Sequence, residues 1–223
     1  AKCASGGLAA SLLSHTIGTP PIQHFAQEEV KAEVLPQILS GEKISALAIT
    51  EPSGGSDVAA LKTKAVRDGD DYIVSGEKTF ITSGIRADYY SVAVRTDPNA
   101  KGANGISMLL IDAHSEGITK SKLDKMGWWA SDTAHLHFDD VRVPAKNLLG
   151  AENMGFFVIM NNFNMERFFL AASSYGYALV CYEEALDWAK QRQTFGKRLI
   201  DHQVVRHKLV DMATRLTSTR ALL

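Results

Sequence analysis

The sequence is poor in cysteine, in excess charge of either sign and in long hydrophobic runs. Its two cysteines, Cys3 and Cys181, lie far apart and suit a reducing compartment in which both stay thiols. The formal net charge of -1 at pH 7, with no basic block, predicts no general attraction to nucleic acid or to an anionic membrane. No apolar run reaches the roughly 20 residues that span a bilayer, and no secretory signal opens the chain. We therefore expect neither a membrane span nor a nucleic-acid partner.

Two familiar kinds of ligand site are also missing. No glycine fingerprint of a dinucleotide-binding fold occurs, so a cofactor site has to be argued from other segments. His135 and His137 share one face of a predicted strand, but no third ligand follows at a suitable spacing. Trp128 and Trp129 lack the basic neighbours of a stacking platform for nucleic acid. We predict no metal site.

The hydrophobic pattern divides the chain into three parts. With 223 residues, 45% of them hydrophobic, the chain can bury a sizeable core. Helical spacing dominates residues 1–43, with a break at Thr19 to Pro21, and short strands with turn signals fill residues 44–150. Helical spacing returns over residues 151–223, in two helices joined by a short connection. The predicted fold is α+β, with an N-terminal helical part, a central antiparallel β-barrel or sandwich and the start of a C-terminal helical bundle.

One strand-like run leads into a loop of small residues, Ser53-Gly54-Gly55-Ser56. Paired glycines let the backbone approach a ligand closely. Successive amides in such a turn can donate hydrogen bonds to an anionic group. Taken alone, the loop is more simply interpreted as a polar turn between two strands.

A second segment, Gly76 to Gly84, favours a ligand-binding role for this loop. Together the two segments resemble the flavin-binding segments of the acyl-CoA dehydrogenase family. The resemblance is closest to the long-chain and isovaleryl types and covers essentially the whole chain. It continues through Leu123 to Gly127, Phe138 to Pro144 and Gln191 to Lys197. Because family members are longer at both ends, we expect this chain to be an internal piece.

The resemblance implies an FAD-dependent oxidoreductase of fatty acid β-oxidation. Such an enzyme converts a medium-chain, long-chain or branched acyl-CoA to the trans-2-enoyl-CoA and passes electrons to an electron-transferring flavoprotein. It implies a homo-oligomer, a dimer of dimers, in a bacterial cytoplasm or a mitochondrial matrix. The alternatives are an acyl-CoA oxidase that uses oxygen and a catalytically silent flavin- or CoA-binding assembly module.

Removing a proton from the carbon beside a thioester requires a carboxylate of raised pKa in a dry pocket. The resemblance points to Glu166, because the long-chain and isovaleryl types carry their base at this Glu-Arg position. From the residues alone, the alternative is that Asn164 caps a helix and Glu166 lies in its first turn. A base further along the parent sequence is a second alternative.

The same resemblance assigns the remaining ligand contacts. Thr82 is expected to donate toward flavin N5, Thr50 to contact the pyrimidine end and Phe80 to cover one ring face. The expected flavin contacts within one subunit are Leu47, Ile49, Thr50, Gly55, Ser56, Phe80, Ile81 and Thr82. Those reaching the flavin of a neighbouring subunit are Arg192, Thr194, Phe195 and Gln203.

The expected substrate contacts are fewer. They are Ser56 at the thioester, Asn164 and Arg167 near the pantetheine, and Phe157. The loop Asp97 to Asn104 matches one that meets CoA, with Lys101 near a phosphate, although Ala103-Asn104 departs from the family pattern there. His15 and Thr16 are alternatively surface residues or part of an acyl pocket.

Overall fold

The computed structural model describes residues 5–223, apart from the side chains of residues 14–16. The expectations for Cys3, and for the side chains of His15 and Thr16, therefore lie outside the described residues. The chain divides into two compact units, one of Gly6–Phe163 and one built on Asn164–Leu223. The predicted three-part division at residues 43 and 150 stays a prediction.

The first unit opens with two helices, α1 (Gly6–Phe25) and α2 (Glu28–Leu39). The break expected near Thr19 to Pro21 is wrong, since α1 continues through both prolines. A proline inside a helix donates no hydrogen bond to the carbonyl four residues earlier, which for Pro21 is that of Ile17. This carbonyl instead accepts a 3.1 Å hydrogen bond from Asn162 Nδ2, so a distant side chain satisfies the group that the proline leaves free.

Seven strands form one curled sheet in the order β1-β4-β2-β3-β7-β6, with β5 paired to β4. Their bounds are β1 Ser45–Ala48, β2 Lys64–Asp68, β3 Asp71–Thr82, β4 Tyr89–Arg95, β5 Ile106–Asp112, β6 Ile118–Lys122 and β7 Thr133–Pro144. The sheet is mixed, because β1 and β2 run parallel to β4, while the other pairings are antiparallel. The predicted α+β class is confirmed.

The residues Asp68-Gly69-Asp70, a pattern typical of a hairpin turn, join two strands in the structure. Strands β2 and β3 pair from Asp68 opposite Asp71, which leaves Gly69 and Asp70 as a two-residue loop. Gly69 has a φ of +60°, a conformation that glycine adopts at little cost. The turn residue therefore sets the register between β2 and β3, and β3 leads into the candidate site.

Two apolar clusters lie on opposite faces of the sheet. Val92 and Val94 belong to one cluster and the intervening Ala93 to the other, as the two-residue period of a strand requires. The second cluster also includes buried residues of α1 and α2, together with Val158 and Ile159. Helical segments thus cover one face of the sheet and hold it in place.

The second unit is helical. Helix α3 (Gly155–Gln191) begins in the first unit and continues into the second, where α4 (Gln203–Leu222) follows. Between them stands a small hairpin of β8 (Gln193–Thr194) and β9 (Lys197–Arg198). Among the helices of the described residues, none has the length and apolar character needed to cross a membrane.

Candidate active site

The structure brings the glycine loop and the Gly76 to Gly84 segment side by side. The amide of Thr79 donates a 2.8 Å hydrogen bond to the carbonyl of Thr50. Beside this bond, β3 leaves its regular pairing with β7 between Lys78 and Ile81. A β-bulge of this kind bends a strand and redirects a side chain. The two segments expected to hold the flavin are therefore neighbours.

A buried ion pair links the stretch that leads into the glycine loop to the Gly76 to Gly84 segment. Lys78 Nζ lies 2.8 Å from Glu51 Oε1 and 3.0 Å from the carbonyl of Ile49, and the two side chains are only 0% and 4% exposed. The Glu51 carboxylate also accepts the amides of Lys62 and Thr63 at 2.7 and 2.8 Å. Both charges are thus surrounded by partners, as burial of an ion pair requires.

The protonation of this pair follows from its surroundings. Burial acts to raise the pKa of Glu51, but the charge of Lys78 and the hydrogen bonds outweigh burial and hold that pKa below its ordinary value. Burial lowers the pKa of Lys78 to about 8, against the pull of Glu51. The two groups are consequently both charged at neutral pH, and together they fix the base of the loop.

Phe80 is held away from the apolar core. It lies in the bulge with a φ of +60°, which is strained for a bulky residue, and its side chain is 70% exposed. Its neighbours Thr79 and Ile81 are buried instead. From residue type alone, an aromatic in a strand is typical of the buried core, but Phe80 does not lie there. An aromatic ring presented to solvent by a strained bulge is suited to cover a planar ligand.

The other residues expected near the flavin surround this pair of segments. Leu47 is half-buried in β1 and Ile49 is buried just beyond it. A Cβ on Gly55 would lie 3.0 Å from Thr50 Cγ2, so a side chain there would crowd Thr50. Ser56 is exposed, and Thr82 is half-buried at the end of β3. Polar and apolar side chains thus flank the glycine loop.

Glu166 lies in the second unit, well inside α3, eleven residues beyond Gly155. The alternative in which Asn164 caps a helix and Glu166 occupies its first turn is therefore wrong. Local residue types favoured a helix start, but the apolar run before Asn164 is already helical. Asn164 and Arg167 are exposed on the same helix.

The carboxylate of Glu166 is in an unusual environment. Its Oε2 is buried and, within the described part of the chain, has no hydrogen-bond partner. Burial raises the pKa of Glu166 above its ordinary value, and the charge of Arg167 opposes part of that rise. A buried, incompletely solvated carboxylate favours its protonated form and is a stronger base when ionised.

The residues expected to reach a neighbouring subunit cluster around the β8–β9 hairpin. Phe195 occupies its turn with a φ of +52° and is 96% exposed. Thr194 Oγ1 lies 3.2 Å from His202 Nε2, whose ring also packs edge-on against Phe195. Arg192 and Gln203, at the ends of α3 and α4, are exposed. The structure therefore brings all four predicted residues to one surface.

Phe157 and the paired histidines lie in the first unit. Phe157, in the first turn of α3, is exposed and packs edge-on against Phe25 at 6.1 Å between ring centres. His135 and His137 each place a ring nitrogen 3.5 Å from the carboxylate of Glu77. Across the described residues no group of three or more histidine, cysteine or acidic side chains is arranged to hold a metal.

Three features of the structure escaped the sequence analysis. The pairing of Lys78 with Glu51 and the packing of His202 under Phe195 join residues whose partners no local pattern identifies. Arg95, at the end of β4, binds several loop carbonyls. Only the presence of a lysine within a buried strand pattern signalled that Lys78 needs an acidic partner.

Comparison with known proteins matches this arrangement to one family. Residues 46–141 match the acyl-CoA dehydrogenase middle domain and residues 153–223 the acyl-CoA dehydrogenase C-terminal domain. The chain therefore belongs to the acyl-CoA dehydrogenase family, whose members are FAD-dependent flavoproteins.

Individual relatives agree with the family assignment. The chain is 39% identical to cyclohexane-1-carbonyl-CoA dehydrogenase of Geobacter metallireducens, covering 99% of this chain and 57% of that protein. It is 40% identical to the mitochondrial long-chain specific acyl-CoA dehydrogenase of Sus scrofa, covering 94% of this chain and 49% of that protein. The crystal structure of a probable acyl-CoA dehydrogenase from Mycobacterium abscessus superposes with a TM-score of 0.91 at 48% identity, covering 97% of this chain and 58% of that one. The chain thus spans about half the length of the curated relatives it matches.

Proposed function

We propose that the protein is an FAD-dependent acyl-CoA dehydrogenase in which Glu166 is the catalytic base. The observation that carries the proposal is the buried Glu166 Oε2, which has no hydrogen-bond partner among the described residues, in a chain of this family. A buried carboxylate oxygen without a hydrogen-bond partner costs stability, so its presence is better explained by chemistry than by folding.

The raised pKa of Glu166 suits proton abstraction from carbon. Desolvation brings the basicity of a carboxylate closer to the operating pH, which is where general bases work best. The carboxylate takes the proton from the carbon next to the thioester. FAD, when bound beside the glycine loop, would supply the acceptor for the hydride that leaves the following carbon. The reaction would leave the enoyl thioester and Glu166 as the neutral acid, with the two electrons on the cofactor, so atoms and electrons balance.

The residues beside the glycine loop suit a bound flavin. Phe80 would cover a face of the ring, and Thr82 and Thr50 would donate to its polar edge. The observation that supports this assignment is the strained, outward Phe80 next to an open loop. The Lys78 and Glu51 pair underneath keeps both segments in place before the ligand arrives, which reduces the entropy cost of binding.

The exposed hairpin supports a homo-oligomer. A phenylalanine that is 96% exposed at a strained φ is expected to be covered in the working protein. We assign Arg192, Thr194, Phe195 and Gln203 to the flavin of a neighbouring subunit in a dimer of dimers. A guanidinium suits a pyrophosphate, and an amide suits an adenine or ribose edge.

The acyl group, electron acceptor and compartment belong to the same proposal. The two relatives described above are named for cyclohexane-1-carbonyl-CoA and for long-chain acyl-CoA. We therefore propose a medium-chain, long-chain or branched acyl-CoA as the substrate class. Ser56, Phe157, Asn164 and Arg167 are the proposed substrate contacts. Electrons pass to an electron-transferring flavoprotein, in a bacterial cytoplasm or, in a eukaryote, the mitochondrial matrix.

The test is anaerobic bleaching of the bound flavin by a series of straight and branched acyl-CoAs. Bleaching with formation of the enoyl-CoA supports a dehydrogenase, and the fastest substrate identifies the preferred acyl group. Repeating the reaction in air separates the oxidase alternative, which releases stoichiometric peroxide. Flavin that stays oxidised with every thioester would contradict the proposal and favour a silent binding module.

A further inference from the structure

The Arg95 side chain, outside the proposed site, makes an unusually large set of hydrogen bonds. Standing at the end of β4, its guanidinium donates to five backbone carbonyl oxygens in two separate segments. They belong to Ala59 at 2.8 Å, Leu61 at 3.1 Å, Asn104 at 3.2 Å, Gly102 at 3.3 Å and Ala100 at 3.4 Å. A planar guanidinium with donors directed around its edge suits this task, whereas an ammonium does not.

The first segment is the short turn Val58–Ala60 with Leu61, which follows Ser56 along the chain. The second is the loop of residues 96–105 between β4 and β5. Arg95 is therefore the side chain that connects the end of the glycine loop to this second loop. Its own backbone amide donates to the carbonyl of Thr63 at 2.7 Å, which fixes the guanidinium to the sheet.

The neck of the second loop is closed independently of Arg95. The amides of Thr96 and Asp97 both donate to the carbonyl of Gly105, at 2.9 and 3.2 Å. Gly105 has a φ of +79°, and a Cβ there would lie 2.6 Å from the Asp97 carbonyl oxygen. The loop is thus a ring with a fixed base, and Arg95 determines the path of the remainder.

The direction of the loop carbonyls that Arg95 binds determines which backbone amides of the loop point away from it. The carbonyls of Ala100, Gly102 and Asn104 point at Arg95, and the chain has no cis peptide bond in its described part. In a trans peptide the amide points opposite to its carbonyl. The amides of Lys101 and Ala103 therefore point away from the guanidinium, beside the exposed Lys101 side chain. Outward amides and an ammonium together attract an anion.

We propose that Arg95 is a positioning residue for the nucleotide end of the substrate: it shapes the 96–105 loop so that its outward amides and Lys101 meet a phosphate of CoA. The inference rests on the proposed function. The Arg95 side chain contacts the Val58–Leu61 turn and the 96–105 loop rather than Thr50, Phe80 or Thr82, so we expect its effect on thioesters that carry the nucleotide. In this arrangement the backbone supplies a donor at Ala103, which has no polar side chain of its own.

The test compares two thioesters of the same acid in the flavin-loaded protein. One is the CoA thioester that bleaches the wild-type flavin best, and the other is the N-acetylcysteamine thioester, which lacks the nucleotide. For Arg95→Lys and Arg95→Gln we expect the concentration for half-maximal bleaching to rise roughly tenfold or more with the CoA thioester. The rate at saturation and the response to the short thioester stay unchanged.

The control is Arg67→Lys, because the Arg67 Nε donates to a single turn carbonyl, that of Gly69, at 2.6 Å. It should leave both thioesters unaffected. Equal weakening of both thioesters by the Arg95 variants would assign Arg95 a general structural role and overturn the proposal, as would no weakening of either. Failure of the wild type to bleach with any thioester refutes the proposed function instead.

A measurement on the wild type covers the case in which the Arg95 variants do not fold. Hydrogen exchange of residues 97–105 is followed with and without free CoA. Slower exchange at the amides of Lys101 and Ala103 is the expected result. Unchanged exchange at saturating CoA would overturn the proposal.

Discussion

The buried pair of Lys78 and Glu51 permits a quantitative test of how the flavin segments are held together. Replacing Lys78 by methionine keeps much of the side-chain volume but leaves the Glu51 carboxylate and the Ile49 carbonyl without the ammonium. Removing one partner of a buried ion pair costs about 3–5 kcal/mol. Two backbone amides still bind Glu51, so we expect a value near the lower limit.

The change in free energy of unfolding is large enough to measure by thermal unfolding. For a chain of this length, about 3 kcal/mol corresponds to a fall in Tm of about 6–12 °C. The matched control is Lys146→Met, because Lys146 forms a similar 3.0 Å pair with Glu29 on the surface, where such pairs contribute little. Equal Tm values for the two variants would refute the reasoning. The double variant Lys78→Met, Glu51→Gln should recover part of the lost stability, since no buried charge remains.

Two further predictions concern Phe80 and Glu166. Phe80→Gly removes the strain of a positive φ and should raise the free energy of unfolding by about 1 kcal/mol, while weakening FAD binding in a titration. Phe80→Ala keeps the strain and should weaken FAD binding without raising the free energy of unfolding. Unchanged FAD affinity in both variants would contradict the role given to the ring. Because the pKa of Glu166 is raised in the folded chain, the folded state binds its proton more tightly than the unfolded state, so this group stabilises less as pH rises from its unfolded pKa through its folded one. Glu166→Gln should therefore raise Tm relative to wild type at pH 7 and lose that advantage below about pH 4.5, whereas a Tm difference independent of pH would show that Glu166 titrates normally.

Local sequence patterns predicted the elements whose causes are local. The apolar run of β4, the Gly69 turn and the helical spacing of α3 each follow from a few neighbouring residues, and all are present. Long-range partners decided the remainder. Helix α1 continues through Pro21 because the side-chain amide of Asn162, 145 positions away from Ile17, donates a hydrogen bond to the Ile17 carbonyl that the proline leaves free. No pattern within a short window contains that information.

The candidate site shows the same division. Residue types and the family resemblance indicated which segments approach the flavin, and the Thr79 to Thr50 hydrogen bond joins them. The outward position of Phe80 depends on a bulge that hydrophobicity does not reveal. The pairing of Lys78 with Glu51 depends on folding two strands together. The helix start at Asn164 was wrongly favoured, because a capping residue type is informative only where a helix actually begins.

The identity of the base is the central claim, and exchange of the substrate α-proton tests it most directly. The flavin-loaded wild type, Glu166→Gln and the control Glu184→Gln, an exposed glutamate on the same helix, are mixed with an acyl-CoA in D₂O, and α-deuterium incorporation and flavin bleaching are followed together. Our account predicts a loss of both by at least about 100-fold in Glu166→Gln, with FAD and acyl-CoA binding retained and the control unchanged. Wild-type exchange and bleaching in Glu166→Gln would contradict it and place the base on another residue.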